Sequence, residues 1–158
     1  MKFVESSIDL LIIGIGNRMR GDDGAGVQAA EMLSSRTHDK QVRVMTVQQL
    51  LPEHSEEIAR ARRVLFLDAS VEVASGRVKC RRVMPEAGDV PLSHHLTAGQ
   101  LLLLAKQLYG TSPECWLIEI GGSSFDVRSR LSRNLQHPVR RLVDELAKQM
   151  QLWSDDDA

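Results

Sequence analysis

Asp9-Leu10-Leu11-Ile12-Ile13-Gly14-Ile15, continuing into Gly16-Asn17-Arg18-Met19-Arg20-Gly21-Asp22-Asp23-Gly24-Ala25-Gly26, is the stretch whose reading decides the fold. After Asp9 the run is apolar without alternation and rich in β-branched residues, the pattern of a strand buried on both faces. Beyond the glycine turn, Val27, Ala30, Met32 and Leu33 recur at helical spacing until Ser34-Ser35. A buried strand therefore leaves through a tight turn and opens a helix.

The same alternation of elements continues outward. Gln41 to Val47 alternates as a second strand, and Pro52 to Arg62 is acidic early and basic late, as a helix dipole favours. Val64 to Asp68 is a third strand with an acid at its carboxyl end. Val71 to Arg77 is too short for a crossover helix, so a fourth strand, Arg77 to Val83, is expected to run antiparallel to the third where the two share a sheet. Thr97 to Leu108 reads as a helix, Glu114 to Ile120 as a fifth strand, and Pro138 to Leu152 as a closing helix with Pro138 in its first turn. The expected architecture is an α/β fold, a single three-layer domain over 1–152. It has a mostly parallel twisted sheet of about five strands, one of them antiparallel, with helices on both faces. Residues 153–158 are expected to form an acidic tail.

Composition limits the partners. Across 158 residues, 20 Lys and Arg stand against 21 Asp and Glu, so no net field draws the chain to nucleic acid or anionic lipid. The N-terminal apolar run is broken by Asp9 and followed by an acidic turn rather than a cleavage site, and no segment approaches the roughly 18 apolar residues of a membrane span. A cytoplasmic protein without nucleic-acid or membrane partners is expected. Cys80 and Cys115 show no CxxC spacing, and each is expected to be a buried, inert thiol.

In open α/β sheets ligands sit outside the carboxyl ends of the strands. Three polar clusters fall there: Asp22-Asp23 after the first strand, Asp68 after the third, and Ser93-His94-His95 before the third helix. Two carboxylates and an imidazole suit a divalent transition metal. Each also has a plainer role. Asp22 or Asp23 can cap the helix near Gly24, Asp68 can be a turn residue, and Ser93 can be an N-cap beside a packed histidine. His38, His54 and His137 lie in polar contexts that read as solvated surface.

Two rival chemistries fit poorly. Gly14-Ile15-Gly16 opens like a dinucleotide fingerprint, but the third glycine would fall at Met19, and Asp22-Asp23 put negative charge where phosphate would approach. Serine catalysis lacks a G-x-S-x-G elbow.

The chain resembles the nickel-dependent maturation endopeptidases of [NiFe] hydrogenases, in four blocks along nearly its whole length. They are Leu11 to Gly26; Gln48-Gln49-Leu50-Leu51-Pro52-Glu53 with Val64 to Ala69; Ser93-His94-His95-Leu96-Thr97 with Leu101 to Ala105; and Ser123-Ser124-Phe125-Asp126-Val127 to Leu131-Ser132. The resemblance implies a protease that removes the C-terminal extension of a hydrogenase large-subunit precursor once nickel is in place. Its nickel-responsive site would be Asp23, Asp68 and His94, with His95 as the alternative to His94. Nickel would be presented by the substrate, and zinc or cadmium could occupy the site in vitro. Gly16 and Asn17 would position the substrate strand or steady an oxyanion. Asp22 would be the helix cap. A non-catalytic metal-sensing module of the same fold is the competing reading.

Overall fold

A computed structural model describes residues 7–87 and 95–156, with side chains through Leu152. Its sheet has the order β2-β1-β3-β5-β4. β1 (Ile8–Ile15), β2 (Val42–Val47), β3 (Ala61–Ser70) and β5 (Glu114–Gly121) are mutually parallel, and β4 (Val78–Val83) runs antiparallel to β5. The expected three-layer α/β architecture is what the chain adopts.

The unbroken apolar run in β1 has a direct cause. Leu11, Ile13 and Ile15 enter one core with Val64, Phe66, Ile58 and Leu101, on the side of α2 (Ser55–Ala59) and α3 (Ala98–Tyr109). Leu10 and Ile12 enter the opposite core with Leu65, Leu67, Leu33 and Leu135, on the side of α1 (Ala25–Arg36) and α4 (Arg133–Asp156). A strand clothed on both faces has no polar side to show.

Several boundaries differ from the sequence reading. The helix expected over Pro52 to Arg62 is a 3-10 turn, Pro52–His54, and a short α2, because Ala61 already pairs with Ile8 in β3. β4 opposes β3 in direction as expected, but its neighbour is β5. The outer side of β3 is taken by β5 from Arg63 to Ser70, and the loop after Ser70 is long enough to step over one strand. α4 begins at Arg133, ahead of Pro138, which lies inside it, and its backbone continues past Leu152 to Asp156. Ser93 lies outside the described residues, and α3 is capped by Thr97, whose Oγ1 accepts the Gln100 amide at 3.1 Å. Cys115 is buried, its thiol pushed up to about 12 chiefly by desolvation, whereas Cys80 is exposed on the edge strand rather than buried. No helix among the described residues is long and apolar enough to cross a membrane.

The sheet order places a topological switch between β1 and β3. From β1 the chain passes through α1 to β2 on one side, then through α2 to β3 on the other. Such a point leaves a crevice at the carboxyl ends of the two strands. Gly26 lets α1 close over that crevice, since a Cβ there would stand 2.2 Å from the carbonyl oxygen of Leu67 and 3.0 Å from the Asp68 Cα. Gly26→Ala is expected to lower the urea midpoint by the equivalent of about 1–3 kcal/mol with an unchanged m-value, because backbone cannot yield as a side-chain tip can. Equilibrium unfolding of the two proteins checks it.

Candidate active site

β1 ends at Ile15, and the chain reverses at once. Gly16 makes the reversal with φ +140°, and a Cβ there would fall 1.9 Å from the Asp23 carbonyl oxygen. The turn closes because the Asp23 carboxylate accepts the Asn17 amide at 2.7 Å, while Asn17 Oδ1 accepts the Met19 amide at 2.9 Å. The Asn17 amide therefore already has its acceptor in the Asp23 carboxylate. Gly16 lines the crevice; its own amide donates to Val47 O at 2.9 Å.

Asp22 and Asp23 are adjacent in a 3-10 turn, Gly21–Gly24, yet their environments are opposite. Asp22 is fully buried and makes no cap hydrogen bond to α1. It is instead the anchor for the loop between β5 and α4. Its Oδ2 accepts from the Ser123 and Ser124 amides at 2.8 and 2.9 Å and from the Ser132 hydroxyl at 2.8 Å, and its Oδ1 accepts the Ser132 amide at 2.7 Å. Burial alone would raise this carboxyl, but the Ser132, Ser123 and Ser124 donors outweigh it and hold it below its ordinary value. The cap role expected for Asp22 is thus replaced by a link across about a hundred residues of chain, because its side chain turns inward beneath Gly122.

Asp68 sits in β3 opposite Ile15 of β1 and Glu119 of β5. Desolvation first, then the Asp23 charge, push its carboxyl up to about 7; the Ala69 amide opposes them, and Glu119 adds a smaller upward push. The Asp23 charge is therefore near enough to disfavour ionisation of Asp68, which at neutral pH is only partly ionised. A cation set between them relieves that repulsion.

Both aspartates line a 450 Å³ cleft whose walls include Gln48, Gln49, Arg81, His95, Leu96 and Leu117. His95 is exposed at the start of α3's approach, three residues before the helix. His94 lies outside the described residues. Among those that are described, no three Cys, His, Asp or Glu side chains converge as a metal-holding group. Two carboxylates of the expected set share the cleft, and one of the two candidate histidines lines it with them.

Arg81 and Glu119 were not singled out from the sequence. Their signal was hidden because β4 and β5 pair only in the folded sheet. His54, expected as solvated surface, is half-buried and accepts the Leu51 amide at 3.0 Å, whereas His38 and His137 are exposed.

No family model matches the chain, and no curated protein matches it. Solved structures do. A [NiFe] hydrogenase maturation protease, HycI, from Thermococcus kodakarensis is similar at 24% identity and a TM-score of 0.73, over 89% of this chain and 90% of that one. A hydrogenase 2 maturation peptidase from a Thaumarchaeota archaeon is similar at 25% identity and a TM-score of 0.68, over 91% and 99%. The hydrogenase maturating endopeptidase HybD of E. coli shares the fold at 16% identity and a TM-score of 0.73, over 91% and 93%. The resemblance read from the four sequence blocks is borne out by these neighbours.

Asp22→Asn exchanges an acceptor-only carboxylate for a group whose NH2 confronts serine donors. It is expected to cost roughly 2–3 kcal/mol of stability at neutral pH. The wild-type carboxyl titrates below its ordinary value when folded, so its contribution is complete above the unfolded pKa of about 4 and is lost as pH falls through the folded value. The stability gap between wild type and variant is therefore expected to narrow only below about pH 4. Thermal or urea unfolding of both proteins from pH 3 to 7 measures it.

Proposed function

We propose that this chain is the endopeptidase that removes the C-terminal extension from the precursor of a [NiFe] hydrogenase large subunit after nickel insertion. The observation that carries the reading is the Asp23–Asp68 pair in the cleft at the switch point. Burial and the neighbouring Asp23 charge hold Asp68 short of full ionisation in a cleft that both line, in a chain similar over nine-tenths of its length to structures named as hydrogenase maturation proteases.

Nickel enters as part of the substrate. Asp23 reaches the cleft from the turn after β1 and Asp68 from β3, so a metal-bearing substrate segment is held from two elements fixed against each other by the Gly26 contact. A histidine of the His94-His95 pair completes the set. Its task is to orient the segment so that the scissile carbonyl stays in the water-accessible cleft, where positioning and the nearby metal charge both favour attack by water. Gly16 keeps the turn thin enough for a substrate strand to approach. A precursor without nickel lacks the cation that relieves the aspartate pair and is held less well, which makes the cut a checkpoint on metal loading.

The test mixes the purified protein with the nickel-loaded precursor of a hydrogenase large subunit and, separately, with the nickel-free form, and follows the large-subunit mass. Shortening of the loaded form alone is expected. Binding of the loaded form without any cut would assign the non-catalytic metal-sensing module instead. Asp23→Asn and Asp68→Asn are each expected to slow processing at least about 100-fold, the scale of removing one group that stabilises a transition state. Melting curves alongside separate this from unfolding. His94→Ala is expected to lose processing and His95→Ala to retain most of it; the opposite pattern transfers the role to His95.

A further inference from the structure

The sheet ends at β4, and among the described residues no strand pairs with its outer side. Val78 to Arg82 are all exposed. The free groups on that side follow from the ladder. The Gly121 amide donates to Arg77 O at 2.9 Å, so residue 77 faces β5 with its backbone. In an antiparallel pair the facing residues alternate, so Lys79, Arg81 and Val83 also bond to β5. The N–H and C=O groups of Val78, Cys80 and Arg82 point outward, a row that no backbone group among the described residues pairs with and that suits another strand.

The edge is also one-signed. Arg77-Val78-Lys79-Cys80-Arg81-Arg82-Val83 carries four cations and no acid. Arg82 lies 5.4 Å from the Trp116 ring and 3.7 Å from Glu114, and Lys79 stands opposite Glu119 in register. Arg77, Lys79 and Arg81 form no ion pair among the described residues. A second copy of this edge would bring like charges face to face, which disfavours self-pairing. An acidic strand meets complementary charge. Arg81 also joins the edge to the catalytic cleft, whose wall it forms together with Asp68 and His95.

We propose that the outer edge of β4 captures an extended, acidic segment of the protein substrate as a sixth strand, with main-chain pairing at Val78, Cys80 and Arg82 and charge pairing at Arg77, Lys79 and Arg81. This rests on the processing role proposed above. Strands lie about 4.8 Å apart, so the captured strand runs about 14 Å from β3, and roughly four extended residues bridge it to Asp68. The edge thus holds substrate at a distance from the cut and contributes to KM rather than to the chemical step. Basic residues on an edge also discourage aggregation, and a purely protective edge would take up no peptide.

The test follows amide hydrogen exchange by NMR in the full-length protein with a decapeptide of alternating Thr and Glu. At least tenfold slower exchange at Val78, Cys80 and Arg82 is expected. A Thr–Lys decapeptide and a Thr–Glu decapeptide N-methylated at every residue are expected to give none. No protection by the first peptide, or equal protection by either control, overturns the proposal. Cys80→Pro removes one outward N–H and none that bonds to β5. It is expected to keep the fold by circular dichroism, lose the protection and raise KM for the nickel-loaded precursor at least tenfold; an unchanged KM in the folded variant overturns the proposal. Should that variant not fold, the N-methylated peptide alone decides. A wild-type protein that shows the protection yet cuts no precursor removes the processing role and supports the edge. One that cuts normally with these amides unprotected removes the edge alone.

Discussion

The arrangement depends on how closely α1 lies on the carboxyl ends of β1 and β3. At Gly26 the helix backbone meets the Leu67 carbonyl with no room for a side chain. That contact fixes the helix start, and with it the 3-10 turn carrying Asp22 and Asp23, against the strand carrying Asp68. Interiors are packed too tightly for such a contact to be adjusted continuously. A larger residue would shift the turn as a block, and the aspartates would separate. The spacing of the cleft is therefore set by packing one turn away from the carboxylates rather than by any bond between them.

The neighbouring aspartates of that turn show how one local sequence produces two electrostatic outcomes. Asp22 turns inward and is surrounded by donors from Ser123, Ser124 and Ser132, so its charge is stabilised and unavailable. Asp23 turns outward, accepts the Asn17 amide and leaves its charge to act on Asp68, whose own burial already disfavours ionisation. Satisfied charge holds the loop before α4 in place, and frustrated charge lines the cleft. Real proteins concentrate such local conflict where they bind or react. Here the conflict is affordable because the adjacent residue secures the same turn.

The extent to which all this was legible follows from where the information lies. β1 could be read because its unbroken apolar run has one explanation, burial on both faces. Asp68 could be placed because a strand and its carboxyl end are local features. The role of Asp22 could not, because its partners are a hundred residues away and helix capping is the commoner fate of an acid at a helix start. The start of α4 was missed for a similar reason. Pro138 is a reliable first-turn signal on average, but here the helix tolerates it further in, and the Asn134 carbonyl that loses its donor lies beside Gly76. Cys80 was expected inside because free cysteines usually are, and nothing in Arg77 to Val83 says that this strand closes the sheet. The pairing of β4 with β5, and with it the place of Arg81 in the cleft wall, is a property of the assembled sheet.

The single antiparallel strand has a consequence for the cleft. Had β4 been reached by a right-handed crossover, it would run parallel to β5, with a helix packed over that end of the sheet. The short connection after Ser70 makes it antiparallel instead, so no helix is needed between β3 and β4. Its middle then lies level with the body of β5, Arg81 opposite Leu117, and both residues form the cleft wall. At its far end Val83 is buried in the α3-side core and holds the strand down. The strand is thus anchored at its carboxyl end and exposed along the rest of its length. Its cations stand two strands away from the aspartate pair on the same sheet. That separation keeps Arg81 from neutralising Asp68, on which burial and the Asp23 charge therefore continue to act.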